Sequence, residues 1–213
     1  MQLSGLDATD VKSFDELYQI GKESNNAMLV FNVIMSQMCV DFWFRDYTAI
    51  MKLCEKHPAP AAKRILATQR CFYEGIAALN LARQQPNEPK YRVSGEKAVK
   101  DMSKFEQMNK WTFENKSLLL QAELHCLNQE YEAAENAYIA SIESAKDHKF
   151  MNEEAMANEL FGIFCIENQM GDKGMKHLRI ALDLYKQWGA MNKAADLETY
   201  IETKASVEAH EWS

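Results

Sequence analysis

Histidines, cysteines and paired carboxylates are the side chains through which this chain would ligate a metal or move protons, and their spacing serves neither purpose. The five histidines, His57, His125, His148, His177 and His210, share no metal-ligand spacing. His125 beside Cys126 comes nearest to a constellation. Adjacent residues on a helix of 3.6 residues per turn diverge by about 100°, and no second Cys or His stands a turn away to complete a site. The segment Gly171 to Lys176 (GDKGMK) lacks the length and the Ser/Thr of a phosphate-binding loop; it reads as a turn followed by a packing glycine. A Gly-Xaa-Ser-Xaa-Gly nucleophile elbow is missing. The carboxylate pairs Glu130/Glu132 and Glu153/Glu154 fall at helix starts, where the positive end of the helix dipole accounts for them. The expectation is therefore a protein that is not an enzyme, with no catalytic residue, cofactor or metal.

Charge excludes a further class. The chain of 213 residues carries 31 acidic against 24 basic side chains, a net charge of -7, which repels a phosphate backbone unless a basic face is segregated. Lys97, Lys100 and Lys104 make a short basic stripe, but Glu96, Asp101 and Glu106 interrupt it, so nucleic acid is not an expected partner. Five cysteines, Cys39, Cys54, Cys71, Cys126 and Cys165, are odd in number and widely spaced inside apolar stretches. They read as reduced thiols of a cytoplasmic protein. Met1 to Asp10 shows no secretory leader. The most apolar stretch, Ala27 to Phe44, is interrupted by Asn32, Ser36, Gln37 and Asp41, which argues against a membrane span.

The elements that would position any site are helices. With only 8 Gly and 4 Pro, breakers are too few for many strands and turns, and no alternating β-branched run appears. Ser13 and Glu16 form a possible capping box for a helix to about residue 20. Further helices are expected at about 25–40, 42–56, 61–83, 96–109, 115–128, 131–147, 152–169, 172–188 and 190–207. Pro58 and Pro60 stop the third, while Pro86 and Pro89 mark an irregular segment from Gln84 to Gly95. Met35, Met38 and Met51 either fill the core or line an adaptable apolar groove able to sense a small ligand.

The later helices repeat. Ala122, Ala134, Tyr138 and Ser141 recur at the same internal spacing as Gly162, Gly174, Leu178 and Ala181, with small residues where helix axes about 8–10 Å apart leave no room for branching. The offset is 40 residues, longer than the roughly 34 of a tetratricopeptide repeat, and extra turns around Lys146 to Met151 would absorb the difference. Gly75 is a candidate small residue of an earlier pair. Trp188 lies one turn beyond Tyr185 and covers the end of the core, and Gly189 suits a left-handed helix cap. The chain thus reads as one all-α, tetratricopeptide-like right-handed solenoid of about ten helices over 1–213. It has degenerate repeats at 1–95, the clearest repeats at 96–189, and a capping helix and tail at 190–213, whose outer face carries Lys193, Asp196 and Glu198.

Several segments carry a resemblance. NEEAMANEL (152–160), GDKG (171–174) and YKQWGAMNK (185–193) resemble the helical-repeat region of large AAA/STAND-type signalling ATPases, which also hold a kinase-like region and often GAF and histidine-kinase modules. FYEG (72–75) and WTFENKSLLLQAE (111–123) are similar to upstream helices of that region. The resemblance implies a repeat module alone, since ATP binding and phosphotransfer belong to the other parts of such proteins. It also implies a protein or peptide partner, a signalling ATPase or kinase among the candidates. Lys116, Leu119, Glu123, Glu159 and Ile163, on first helices of the repeats, form the expected partner-binding face, with Glu159 expected as an exposed carboxylate. Leu119, Glu123, Glu159 and Ile163 supply none of the Lys and Asn of a carboxylate clamp.

Overall fold

The computed structural model describes residues 12–58 and 64–211, and every regular element among them is a helix. These are α1 (Phe14–Glu23), α2 (Ala27–Trp43), α3 (Tyr47–Lys56), α4 (Arg64–Gln84), α5 (Pro89–Met108), α6 (Lys110–Leu127), α7 (Tyr131–Asp147), α8 (Met151–Glu167), α9 (Gly171–Trp188) and α10 (Met191–Glu211). The all-α class stands as expected. The segment Met1 to Asp10, and Pro60 and Ala61 at the expected break before the fourth helix, lie outside the described residues.

Local chemistry sets the helix starts. The Glu16 N–H donates to Ser13 Oγ at 3.2 Å and the Ser13 N–H donates to the Glu16 carboxylate at 2.7 Å, the reciprocal box read from the sequence. Asn26, Asp46 and Asn109 cap α2, α3 and α6 through side-chain oxygens that accept the N–H of Leu29, Ala49 and Thr112, each satisfying a donor the helix leaves unpaired. Glu132 lies in the first turn of α7, and Glu153 and Glu154 in that of α8.

One turn recurs between helices. Asn25, Arg45, Gln129, Lys149, Gln169 and Gly189 all have positive φ, and the residue after each donates its N–H to a carbonyl five residues back, as Glu130 does to His125 at 2.9 Å and Met170 to Cys165 at 2.8 Å. This is the helix-ending motif with a left-handed residue that satisfies the orphan carbonyls. From Gln129 to Gly189 these residues stand twenty apart. The 40-residue offset therefore belongs to the whole helix pair. No extra turns sit at Lys146 to Met151, where an ordinary turn joins α7 to α8.

Other boundaries differ from expectation. The irregular segment expected at 84–95 is confined to residues 85–88, because α5 already begins at Pro89. Proline in the first helical turn loses no hydrogen bond and brings a φ suited to the helix. The break before α3 falls at Phe44 to Asp46, not at Phe42, and α6 opens at Lys110, five residues early. Lys193 does not lie on an outer face; it is 5% exposed.

Small residues sit where helices approach most closely. A Cβ added to Gly174 would stand 2.8 Å from the Gly162 carbonyl oxygen, and one added to Gly162 would stand 2.7 Å from Leu178 Cγ. Gly75, the candidate from an earlier pair, meets Ala98 and Leu120 in the same way. Ala122, Ala134, Tyr138, Ser141, Leu178 and Ala181 are all buried. Met35, Met38 and Met51 are buried within the main core, so they form no open groove. That core runs from α2 to α8; a second cluster joins α8, α9 and α10, and Trp43 packs against both.

Candidate functional site

The expected partner face divides into buried and accessible parts. Leu119 is buried in the core. Lys116 reaches back to α8, its Nζ 2.6 Å from the Glu153 carboxylate and above the Phe150 ring. Glu159 is not an exposed carboxylate, being 3% exposed. It accepts from Lys193 Nζ at 2.7 Å, from the Tyr185 hydroxyl at 2.7 Å and from the Arg45 guanidinium. A carboxylate removed from water needs such partners, because its desolvation otherwise costs several kcal/mol. Burial, together with the neighbouring Arg45 charge, pushes the Lys193 ammonium down to about 8 against the pull of Asp196. Trp188 is about half exposed, with its ring 5.5 Å from that of Trp43.

Glu123 and Ile163 do reach a shared opening. They line a cleft of about 350 Å³ together with Arg45 and Tyr47 at the α2–α3 corner, Arg83 on α4, and Tyr200 and Lys204 on α10. Glu123, 1% exposed, is saturated from within: Arg83 donates at 2.6 Å, the Tyr138 hydroxyl at 2.6 Å and Asn80 at 3.0 Å. These bonds lock the Arg83 guanidinium in one orientation at the cleft wall, where the planar fork keeps further donors. The Arg45 guanidinium is likewise held, and it lies over the Tyr200 ring at 5.4 Å.

Tyr47 stands beside these guanidiniums at the α2–α3 corner. It lines the cleft and is 9% exposed. Burial, then the nearby Glu123 charge, raises its pKa, so the phenol stays protonated as a donor. A protonated phenol on the cleft lining can donate to an acceptor brought into the cleft. The cleft offers fixed donors from Arg45, Arg83 and Tyr47 and an exposed carboxylate from Glu167.

Among the described residues, His125 and the cysteines offer no second site. His125 turns to Glu130 while Cys126 packs against the Tyr138 hydroxyl, so the adjacent pair diverges. All five cysteines are free thiols; burial pushes Cys54, Cys71 and Cys126 up to about 12 and Cys165 to about 11. No helix among the described residues is long and apolar enough to cross a membrane. Sequence reading missed Arg45, Tyr47, Arg83, Lys193 and Tyr200. Each is a lone polar or aromatic residue on a helix or turn, and only the fold brings them together. Comparison with known protein families, with curated proteins and with solved structures found no match.

Proposed function

We propose that the chain is a non-catalytic binding scaffold: a tetratricopeptide-like solenoid whose inner cleft, between α3–α4 and α8–α10, receives a segment of a partner protein. The solenoid reading is supported by the twenty-residue recurrence of the left-handed turn from Gln129 to Gly189 and by glycine-to-glycine packing of α8 on α9. Stacked helix pairs of this kind present extended inner surfaces for binding. The observation that carries the binding role is the cleft itself. Side chains from separate helices converge there, with Arg45, Tyr47 and Arg83 as donors and Glu167 as a carboxylate on its lining.

The resemblance to signalling ATPases suggests the partner class, an ATPase or kinase of the same signalling type in the cytoplasm. A peptide main chain is rich in carbonyl acceptors for Tyr47 and the two guanidiniums and in N–H donors for Glu167. Small-ligand sensing near Met35, Met38 and Met51 is not favoured, since those side chains are core.

A photo-reactive residue placed at Thr48 or Ile163, both on the cleft lining, tests the reading in cells. The expected result is a discrete cross-linked protein from both positions and none from exposed Lys176, with the adduct lost on Tyr47→Phe combined with Lys204→Glu. Identical adducts from the cleft and from Lys176 would overturn it.

A further inference from the structure

The α2–α3 corner reaches distant helices through the side chains of Trp43 and Arg45. The backbones of α2 and α3 pack against each other, with α2 also against α1 and both against α4, while neither makes an extended backbone contact with α8, α9 or α10. Two side chains bridge the gap. Trp43 sets its ring edge-on to Tyr185 at 5.9 Å and tilted against Trp188 at 5.5 Å. Arg45, two residues on and in the left-handed turn, gives Nη1 to Glu159 and Nη2 to Asp196 at 2.7 Å, with Tyr200 beneath it.

Viewed from α8–α10, this is a receptor for an arginine. Glu159 is also held from within the α8–α10 face, where the Tyr185 hydroxyl and Lys193 Nζ each donate to it at 2.7 Å. Asp196 supplies the second carboxylate, partly exposed. Two carboxylates against one planar guanidinium, with an aromatic face below, is the arrangement that favours arginine over lysine. Tyr185 and Trp188 beside it form an aromatic shelf for a neighbouring ring.

We propose that the α8–α10 face is a recognition site for a segment carrying an aromatic residue two positions before an arginine, and that Trp43 and Arg45 occupy it as an internal ligand. The inference rests on the reading of the chain as a binding module. A partner presenting the same aromatic-Xaa-arginine pair competes with the corner, so the contact regulates access to the inner face. Because the internal ligand is tethered, its effective concentration is of millimolar order, and the competitor must be tighter or multivalent.

The test uses a fluorescent peptide spanning residues 40–48 (VDFWFRDYT) and the full chain carrying Trp43→Ala and Arg45→Ala. The peptide is expected to bind this variant saturably and at least tenfold more weakly to the wild type, whose site is filled. Adding Asp196→Asn and Glu159→Gln to the variant abolishes binding. Absence of saturable binding to a variant with wild-type helix content, or equal binding by the wild type, overturns the proposal. If the variant fails to fold, hydrogen exchange on the wild-type chain decides instead. Amides of α2 and α3 are expected to exchange through a local opening well before those of α6 and α7, and exchange of both only on global unfolding overturns the proposal. Cross-linking from the cleft is independent of both readouts, so the scaffold reading can hold while this inference fails.

Discussion

Replacing Gly174 by alanine sets two opposed effects against each other in one measurement. Alanine is favoured over glycine inside a helix by about 1 kcal/mol, so on an open surface Gly174→Ala would stabilise α9. Here the new methyl would stand 2.8 Å from the Gly162 carbonyl oxygen and 2.6 Å from Ile166 Cγ1. The first obstacle is backbone and cannot rotate away, so α8 and α9 must separate. Overpacking of this sort costs roughly 1–3 kcal/mol, and the immovable oxygen puts the cost in the upper half of that range. The net expectation is a loss of about 1–2 kcal/mol, or a fall in Tm of roughly 2–8 °C for a chain of this size, read by calorimetry and urea unfolding. Gly95→Ala serves as the comparison, since its nearest obstacle is the Leu79 side chain, which can change rotamer; it should cost less. A Gly174→Ala protein more stable than the wild type would refute the close packing on which the repeat argument stands.

Four other outcomes follow from the same geometry. Glu159→Gln leaves the buried Lys193 ammonium and Arg45 short of a counter-charge, and with Asp196 still present it should destabilise by about 2–4 kcal/mol in urea unfolding. Native Cys54, Cys71 and Cys126, raised to about 12 by burial, should react with iodoacetamide at pH 8 at least about a thousandfold more slowly than in denaturant, from the thiolate fraction alone; mass spectrometry showing equal labelling would contradict this. Lys149→Gly relieves a left-handed lysine and should raise stability by roughly 0.5–1 kcal/mol in urea unfolding, since the strain removed exceeds the entropy glycine adds to the unfolded chain. The folded His177 pKa is lowered, first by burial and then by Lys173 and Lys176. The unfolded chain therefore binds this proton first as pH falls, so its contribution is complete above about pH 6.5 and declines below it; His177→Gln should flatten the stability profile between pH 7 and 5.

The helices and their packing were largely legible because they depend on local or periodic signals. Ser13 with Glu16 predicted α1, and the matched offsets from Ala122 and Gly162 found positions that are indeed buried. The twenty-residue turn was not legible, because glycine marks only Gly189. At Gln129, Lys149 and Gln169 the left-handed residue is an ordinary one, held there by the helix-ending hydrogen bonds and not by its own preference. Pro89 misled for a related reason: a proline breaks a helix interior but opens a helix equally well. In the structure residues 89–95 form the first turns of α5, with Tyr91 and Gly95 buried.

The candidate site was less legible, and α8 shows why. A carboxylate in a helical pattern usually marks a solvent face, and Glu159 was read that way. Yet residues Ala155 to Gly162 are all buried, so this stretch of α8 has no solvent face, and its apolar and small residues (AMANELFG) already imply packing on every side. A charge within such a run has to find a partner or shift its proton. The sequence signal was thus the neighbourhood of Glu159, not the residue itself. The partners Arg45 and Lys193 lie 114 and 34 residues away, on a turn and on a helix that locally look polar and exposed. A buried ion pair becomes visible in sequence only from its apolar side, and that same side makes breaking it so costly. Any segment that displaces Arg45 must therefore bring a guanidinium of its own.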